Sequence, residues 1–232
     1  KMKFGYLLSR ARESGIPFDY FATGHYARVR RNEESGRWAL LKGADCRKDQ
    51  SYFLCHLTQE QLETTLFPLG ELEKSRVKEL SERFGLGLAH KKESQNFIAG
   101  GYSCLFPSQA RPGDILDVTG QVVGRHEGIR DYTVGQRRKI GVRSEVPLYV
   151  PSLDAVNNTI TVGERALLYG TSLTAREVHW VSVAPPREPM RVTAKIRYRH
   201  GGGAGELRAL DGHRASMVFD APQLSITPGQ SV

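Results

Sequence analysis

Apolar and polar positions follow two different periods along this chain of 232 residues. In "KMKFGYLLSRARESG" the residues Met2, Phe4, Leu7, Leu8 and Ala11 recur at helical spacing with charges between them, which predicts an amphipathic helix ending near Gly15. "FDYFATGHYARVRR" reads as a strand, a break at Gly24 and a second extended run. "RWALLKGADCRKDQSYFLCHL" predicts a strand, a polar loop at 43–49 and an apolar segment. In "TQEQLETTLF" Thr58 stands three residues before Gln61, the spacing of a capping box at a helix start. "ELEKSRVKELSERFGL" is a strongly periodic helix closed by Gly85. Helix and strand alternate over residues 1–92, which predicts an α/β unit with a parallel sheet.

After Lys92 the period falls to two. "RPGDILDVTGQVVGRHEG" predicts strand, turn and strand, with Gly120 at the turn. Strand-like runs then recur in "LYVPSLD", "NTITVG", "TAREVHWVSV", "MRVTAKIRYR", "GELRALD" and "RASMVFDA", with one helical turn at 164–170. That spacing predicts a small barrel or sandwich. "APPREP" at 184–189 reads as a loop, "HGGGAG" at 200–205 as a hairpin tip, and "SITPGQSV" as strand, turn and strand start. Arg197, Tyr198 and Arg199 are expected on one strand, with the two arginines on a common face. The opening helix has no cap and the last strand has barely begun, so both ends look cut from a longer protein.

Charge narrows the class of partner. Lys and Arg number 33 against 25 Asp and Glu, a formal net charge of +8, which favours a polyanion such as nucleic acid. The three cysteines, Cys46, Cys55 and Cys104, form no CxxC pair, so neither a zinc knuckle nor a disulfide framework is expected. A reducing, cytosolic setting fits them. No apolar run approaches the ~20 residues that span a membrane.

Three stretches can carry chemistry. In "ATGHYAR", Gly24 lets a ligand approach the backbone at a strand end and His25 offers a donor and an acceptor; the alternative is a strand ending in a turn with a surface histidine. In "GADCRKDQSYFL", Lys48 can contact phosphate, while Asp49 and Gln50 can read base or sugar edges; the alternative is a solvated polar loop. "GRHEGIRDYTVGQRRKIGV" gathers Arg125, Arg130, Arg137, Arg138 and Lys139 around the turn residue Gly135, with Tyr132 able to stack on a base. Arginine forks match phosphate oxygens, and the alternative is a charged hairpin that only solubilises.

Taken in order, "ATGHYAR", "KDQSYFL", "LFPLGELEKSRVKELSERFGL", "KKESQ", "RPGDILD", "GRHEGIRDYTVGQRR", "RYR" and "TPGQS" resemble the tRNA-specific 2-thiouridylases, from one end of the chain to the other. The resemblance implies α/β plus β: the remainder of a PP-loop (Rossmann-like) adenylating domain over 1–92, a small β-rich central domain over 93–150 and a C-terminal β-barrel over 151–232. It implies ATP with Mg2+ as cofactor, adenylation of the 2-oxygen of the wobble uridine, and sulfur supplied as a persulfide by a donor protein. It further implies a cytoplasmic monomer whose partners are tRNA and that donor, with no membrane. By the same resemblance Gly24 contacts ATP, and His25, Lys48, Asp49, Gln50, Arg197, Tyr198 and Gln230 contact tRNA. The segment carrying Arg137 and Arg138 is expected as a tRNA-facing hairpin of the central domain.

The sequence departs from the family pattern twice. The glycine- and serine-rich "SGGxDSS" loop and the first catalytic cysteine are absent from these residues, so the chain alone is not expected to be competent. The family's cysteine shortly after "SQ" is also missing, because the text here is "ESQNFIAGGYSC". Cys104 is the candidate substitute, Cys46 a second one, and Cys55 is expected to be buried and inert. The competing expectations are a tRNA-binding protein of this fold without sulfur transfer, and another PP-loop ligase.

Overall fold

The computed structural model describes residues 2–87 and 110–232. Among these, residues up to 87 form one compact unit with 176–188 and 209–214, and 110–175, 189–208 and 215–232 form a second.

The first unit opens on a π-helical stretch, Met2–Leu7, that runs into helix α1 (Leu8–Glu13). Gly15, at φ +71°, turns the chain out of it. Strand β1 (Phe21–Ala22) pairs in parallel with β4 (Thr65–Leu66), and β2 (Ala27–Arg31) forms an antiparallel hairpin with β3 (Trp38–Lys42). The parallel sheet expected from the alternation is thus, among the described residues of this unit, a single two-residue pair. The capping box of helix α2 (Gln59–Glu63) forms in full, with the Thr58 hydroxyl accepting from the Gln61 amide and the Gln61 side chain accepting from the Thr58 amide. Helix α3 (Lys74–Arg83) ends as expected at Gly85, φ +62°. Phe4, Ala27, Leu54, Leu57 and Leu62 make the core, flanked by Phe21, Trp38 and Val181.

Val181 belongs to "TAREVHWVSV", which does not form the expected strand. β9 lies earlier, at Tyr169–Ala175, and residues 176–183 are irregular. Side chains take the place of a ladder there. Gln59 Nε2 donates to the carbonyls of Trp38 and Val181 at 2.8 and 2.7 Å, and the Arg37 guanidinium donates to Trp180 at 2.6 Å. A buried carbonyl needs a donor, and a long polar side chain supplies one as well as a neighbouring strand does.

The second unit holds two four-stranded sheets. In the first, β5 (Gly113–Leu116), β6 (Val122–His126), β7 (Tyr149–Asp154) and β8 (Thr159–Gly163) take the order β6-β5-β8-β7. β5 and β6 form the hairpin expected around Gly120, which sits at φ +85°. The sheet runs across position 150, where a domain boundary was expected. Its core is Ile115, Ile140, Val150, Ile160 and Val162.

The second sheet has the order β10-β11-β12-β9, with β10 at Met190–Ala194, β11 at Gly203–Leu210 and β12 at Arg214–Leu224. β10 ends before Arg197, so Arg197, Tyr198 and Arg199 lie in a turn closed by the His200 amide on the Arg197 carbonyl at 3.0 Å. The expected common face of the two arginines is therefore lost. Ile196 explains the stop, since it is buried with Met217 and Phe219 in the core and pulls the chain inward. "HGGGAG" is not merely a tip either. Gly203 and Gly205 lie within β11, and a Cβ on Gly205 would come 2.1 Å from the Val218 carbonyl oxygen.

The tightest contact of the first unit is at Gly70, where a Cβ would stand 1.9 Å from the Ala27 carbonyl oxygen. We predict that Gly70→Ala destabilises by about 1–3 kcal/mol, the usual cost of overpacking. Gly5→Ala, with nothing within 4 Å of the added carbon, is expected to be neutral or stabilising by up to about 1 kcal/mol. Urea unfolding of the two variants checks both signs.

Candidate functional site

Gly24 and His25 lie in the exposed connection between β1 and β2, where the sequence placed them. A Cβ on Gly24 would meet only Leu69 Cδ1, at 3.6 Å, so the backbone there is open to a ligand. His25 is half-buried. Its Nδ1 shares a hydrogen bond with the Thr23 hydroxyl at 2.8 Å, and its ring lies against Phe4 and Phe67. Burial first, and the Lys3 charge second, hold its pKa below the usual histidine value. The imidazole is therefore neutral near pH 7, a hydrogen-bonding group and not a cation.

The "KDQ" loop is fastened to the residue that follows His25. The Gln50 Oε1 accepts from the Tyr26 amide at 3.0 Å, and the Gln50 amide donates to the Tyr26 carbonyl at 2.9 Å. Asp49 is buried, with Oδ1 accepting from the amides of Gly43 and Ser51 and Oδ2 from the Ser51 hydroxyl. It shapes the loop, and these three bonds already occupy most of the carboxylate expected to read a base edge. Asp45, the residue sequence reasoning missed, performs a similar task. Its carboxylate accepts from the amide of Lys74, at the start of α3, and from that of Arg47, at 3.1 and 3.0 Å. The Lys74 hydrogen bond, above all, holds its pKa below the usual carboxylate value. The signal was present in "GADCRKD", because aspartates in turns habitually bond nearby amides. Lys48 remains half-buried on this ordered loop, and Cys46 is exposed beside it. Cys55 is half-buried rather than buried. Cys104 and the Ser94–Gln95 stretch lie outside the described residues.

In the second unit the cationic stretch is not a hairpin. β6 ends at His126, a short 3-10 turn covers Ile129–Asp131, and residues 132–142 form an irregular loop. Four contacts fix it. The Gly135 amide donates to the Val150 carbonyl at 2.8 Å, and the Val150 amide to the Gln136 carbonyl at 3.0 Å. Gln136 then spans the loop, its Oε1 accepting from Thr133 and its Nε2 donating to the Arg138 carbonyl at 2.9 Å. Ile140 closes the loop by inserting into the core. Arg137, Arg138 and Lys139 are left exposed on a fixed backbone. Gln230 is likewise exposed, on the turn made by Pro228 and Gly229 (φ +84°), and Tyr198 is partly exposed on its own turn. Among the described residues no group of three His, Cys, Asp or Glu side chains could hold a metal ion. Nor is any described helix long and apolar enough to cross a membrane.

Three domain models match the chain in succession: a tRNA methyl transferase HUP domain over residues 1–99, a tRNA methyl transferase PRC-barrel domain over 106–164, and an aminomethyltransferase beta-barrel domain over 170–232. The chain is 42% identical over 236 residues to the tRNA-specific 2-thiouridylase MnmA of Nostoc punctiforme, covering 99% of this chain and 67% of that protein. The chain belongs to the tRNA-specific 2-thiouridylase family. The tRNA-specific 2-thiouridylases MnmA of Moorella thermoacetica and Endomicrobium trichonymphae are 45% and 40% identical, each over 100% of this chain. The chain spans 66% and 65% of their respective lengths. The expected class, a Rossmann-like domain followed by a middle domain and a β-barrel, is that of the three matching models.

Two outcomes test the geometry around Tyr26. Gln50→Ala strips the Tyr26 amide of its acceptor, at a cost of about 1–3 kcal/mol, and Gln50→Glu keeps one. Hydrogen exchange at the Tyr26 amide is expected to quicken in the first variant and change far less in the second. The His25 ring is expected to titrate below pH 6.5 by NMR. Because the unfolded chain takes up that proton first, stability is unaffected above about pH 6.5 and declines as pH falls from there towards the folded-state pKa. A wild-type stability flat between pH 7 and 5 relative to His25→Gln contradicts this.

Proposed function

We propose that the full-length protein installs sulfur at the 2-position of the wobble uridine in tRNA, by ATP-dependent adenylation of the base followed by sulfur transfer. The observation that carries this reading is the whole-chain identity of 40% to 45% with tRNA-specific 2-thiouridylases. The geometry supports it in kind. The open backbone at Gly24 suits close approach of ATP, whose phosphates bring Mg2+. The neutral His25, with Lys48 on the fastened loop behind it, suits an RNA chain laid across the first unit. Arg137 and Arg138, and the turns bearing Arg197, Tyr198 and Gln230, suit one laid across the second. The division into three domains belongs to this proposal, with the boundary expected at 150 moved to the end of the central sheet at Gly163.

The chemistry needs activation because the 2-oxygen of an amide-like ring leaves poorly. Adenylation turns it into a phosphate ester oxygen that departs with AMP. A cysteine persulfide, loaded by a donor protein, is a strong nucleophile near neutral pH. Its outer sulfur bonds to the 2-carbon as AMP leaves, and a second cysteine thiol then attacks the inner sulfur, breaking the S–S bond to leave the 2-thiocarbonyl and a cysteine disulfide. The sulfur-bearing group is proposed as Cys104, with Cys46 as the alternative. The protein is proposed as a cytoplasmic monomer under either reading; the second reading, a tRNA-binding protein of the same fold that has lost sulfur transfer, is favoured by one observation: no cysteine closely follows Gln95.

Mass spectrometry of tRNA nucleosides separates the two readings. Deletion of the full-length gene is expected to abolish 2-thiouridine at the wobble position, and the wild-type gene to restore it. Restoration by Cys104→Ser as fully as by wild type removes Cys104 from the reaction. Unchanged 2-thiouridine after deletion leaves only the binding reading.

A further inference from the structure

The three consecutive cations of the 132–142 loop do not share one environment. Arg137 and Lys139 line a polar hollow of about 290 Å3 whose floor and wall are Ile140, Ser144, Val146 and Pro147, and Arg138 between them is not part of its lining. Two features set this division. Lys139 stands at φ +61°, a left-handed conformation that costs a non-glycine residue of order 1 kcal/mol and reverses the chain between Arg138 and Ile140. The Gln136 side chain holds the Arg138 carbonyl, and Ile140 is buried, so the backbone on both sides of Lys139 is tied down. A neighbouring, largely apolar slot of about 720 Å3, whose lining also includes Asp117, Arg143 and Glu164, shares Val142, Ser144, Val146 and Leu148 with the hollow. Arg137 and Lys139 thus stand beside apolar side chains on an open surface.

We propose that Arg137 and Lys139 form a two-cation cradle for one backbone phosphodiester of the bound RNA, and that Arg138 lies outside it. This rests on the tRNA reading given above and assigns the contact within it. A forked guanidinium and a point-charge ammonium on one hollow suit a phosphate's paired oxygens. A lysine whose backbone is fixed on both sides presents its charge with only the side chain left to order at binding.

The test is the salt dependence of binding of the full-length protein to an unmodified tRNA transcript. The double variant Arg137→Ala, Lys139→Gln is expected to lower the slope of log affinity against log salt by roughly 0.7–0.9 units, the loss of one phosphate contact, and each single variant by no more than that. Arg138→Ala is expected to lower the slope by clearly less than either, and Arg137→Lys to retain it. Val146→Glu, which sets a carboxylate on the shared and half-exposed wall, is expected to weaken binding without lowering the Tm of the free protein. Equal loss in all three loop variants, or none in Arg137→Ala and Lys139→Gln, overturns the cradle while leaving tRNA binding in place. A wild-type affinity that ignores salt instead removes the tRNA reading on which the cradle depends.

Discussion

Side-chain amides bonded to backbone hold together what the short strands of this protein leave open. Gln50 joins the "KDQ" loop to Tyr26, Gln59 joins Trp38 to Val181, and Gln136 spans the loop from Thr133 to Arg138. Gln61 closes the α2 cap with Oε1 and donates with Nε2 to the Phe4 carbonyl at 2.8 Å. A carboxamide offers an acceptor and two donors on one planar group, so it can satisfy an amide and a carbonyl at once without bringing a charge into the interior. Each such bond contributes only about 1 kcal/mol net, but an unsatisfied buried partner costs more, which makes these residues hard to replace.

This arrangement divides labour between neutral and charged groups. The scaffold of each loop is made by Gln, by buried Asp45 and Asp49, and by apolar anchors such as Ile140. The cations Lys48, Arg137, Arg138 and Lys139 are then carried on backbone that other residues have already fixed. Binding a polyanion to such a surface requires little reordering of the protein, so the electrostatic attraction is not spent on loop entropy.

Much of this was legible in the sequence where the signal is local. The helix at 74–83, the capping box at Thr58 and Gln61, the hairpin around Gly120 and the turn at Pro228–Gly229 all follow from spacing and turn chemistry within about ten residues. The failures are tertiary. "TAREVHWVSV" has strand composition, yet Arg37 and Gln59, more than a hundred residues away, satisfy its carbonyls. "RYR" leaves the strand because Ile196 turns into a core built from β12. Asp49 looked like a reader of bases, but the amides of Gly43 and Ser51 claim it first. For the site, sequence supplied the residues and the family, whereas the unlike surroundings of Arg137, Arg138 and Lys139 depend on the αL turn at Lys139, which composition does not announce.

The glutamine bonds also bear on chemical ageing. Hydrolytic loss of ammonia from a glutamine leaves a carboxylate, which keeps the acceptor but replaces both donors with a second acceptor and a negative charge. At Gln59 that charge would face the carbonyl oxygens of Trp38 and Val181, and at Gln136 the carbonyl of Arg138. Repulsion at those carbonyls would loosen loops whose sequence is otherwise unaltered.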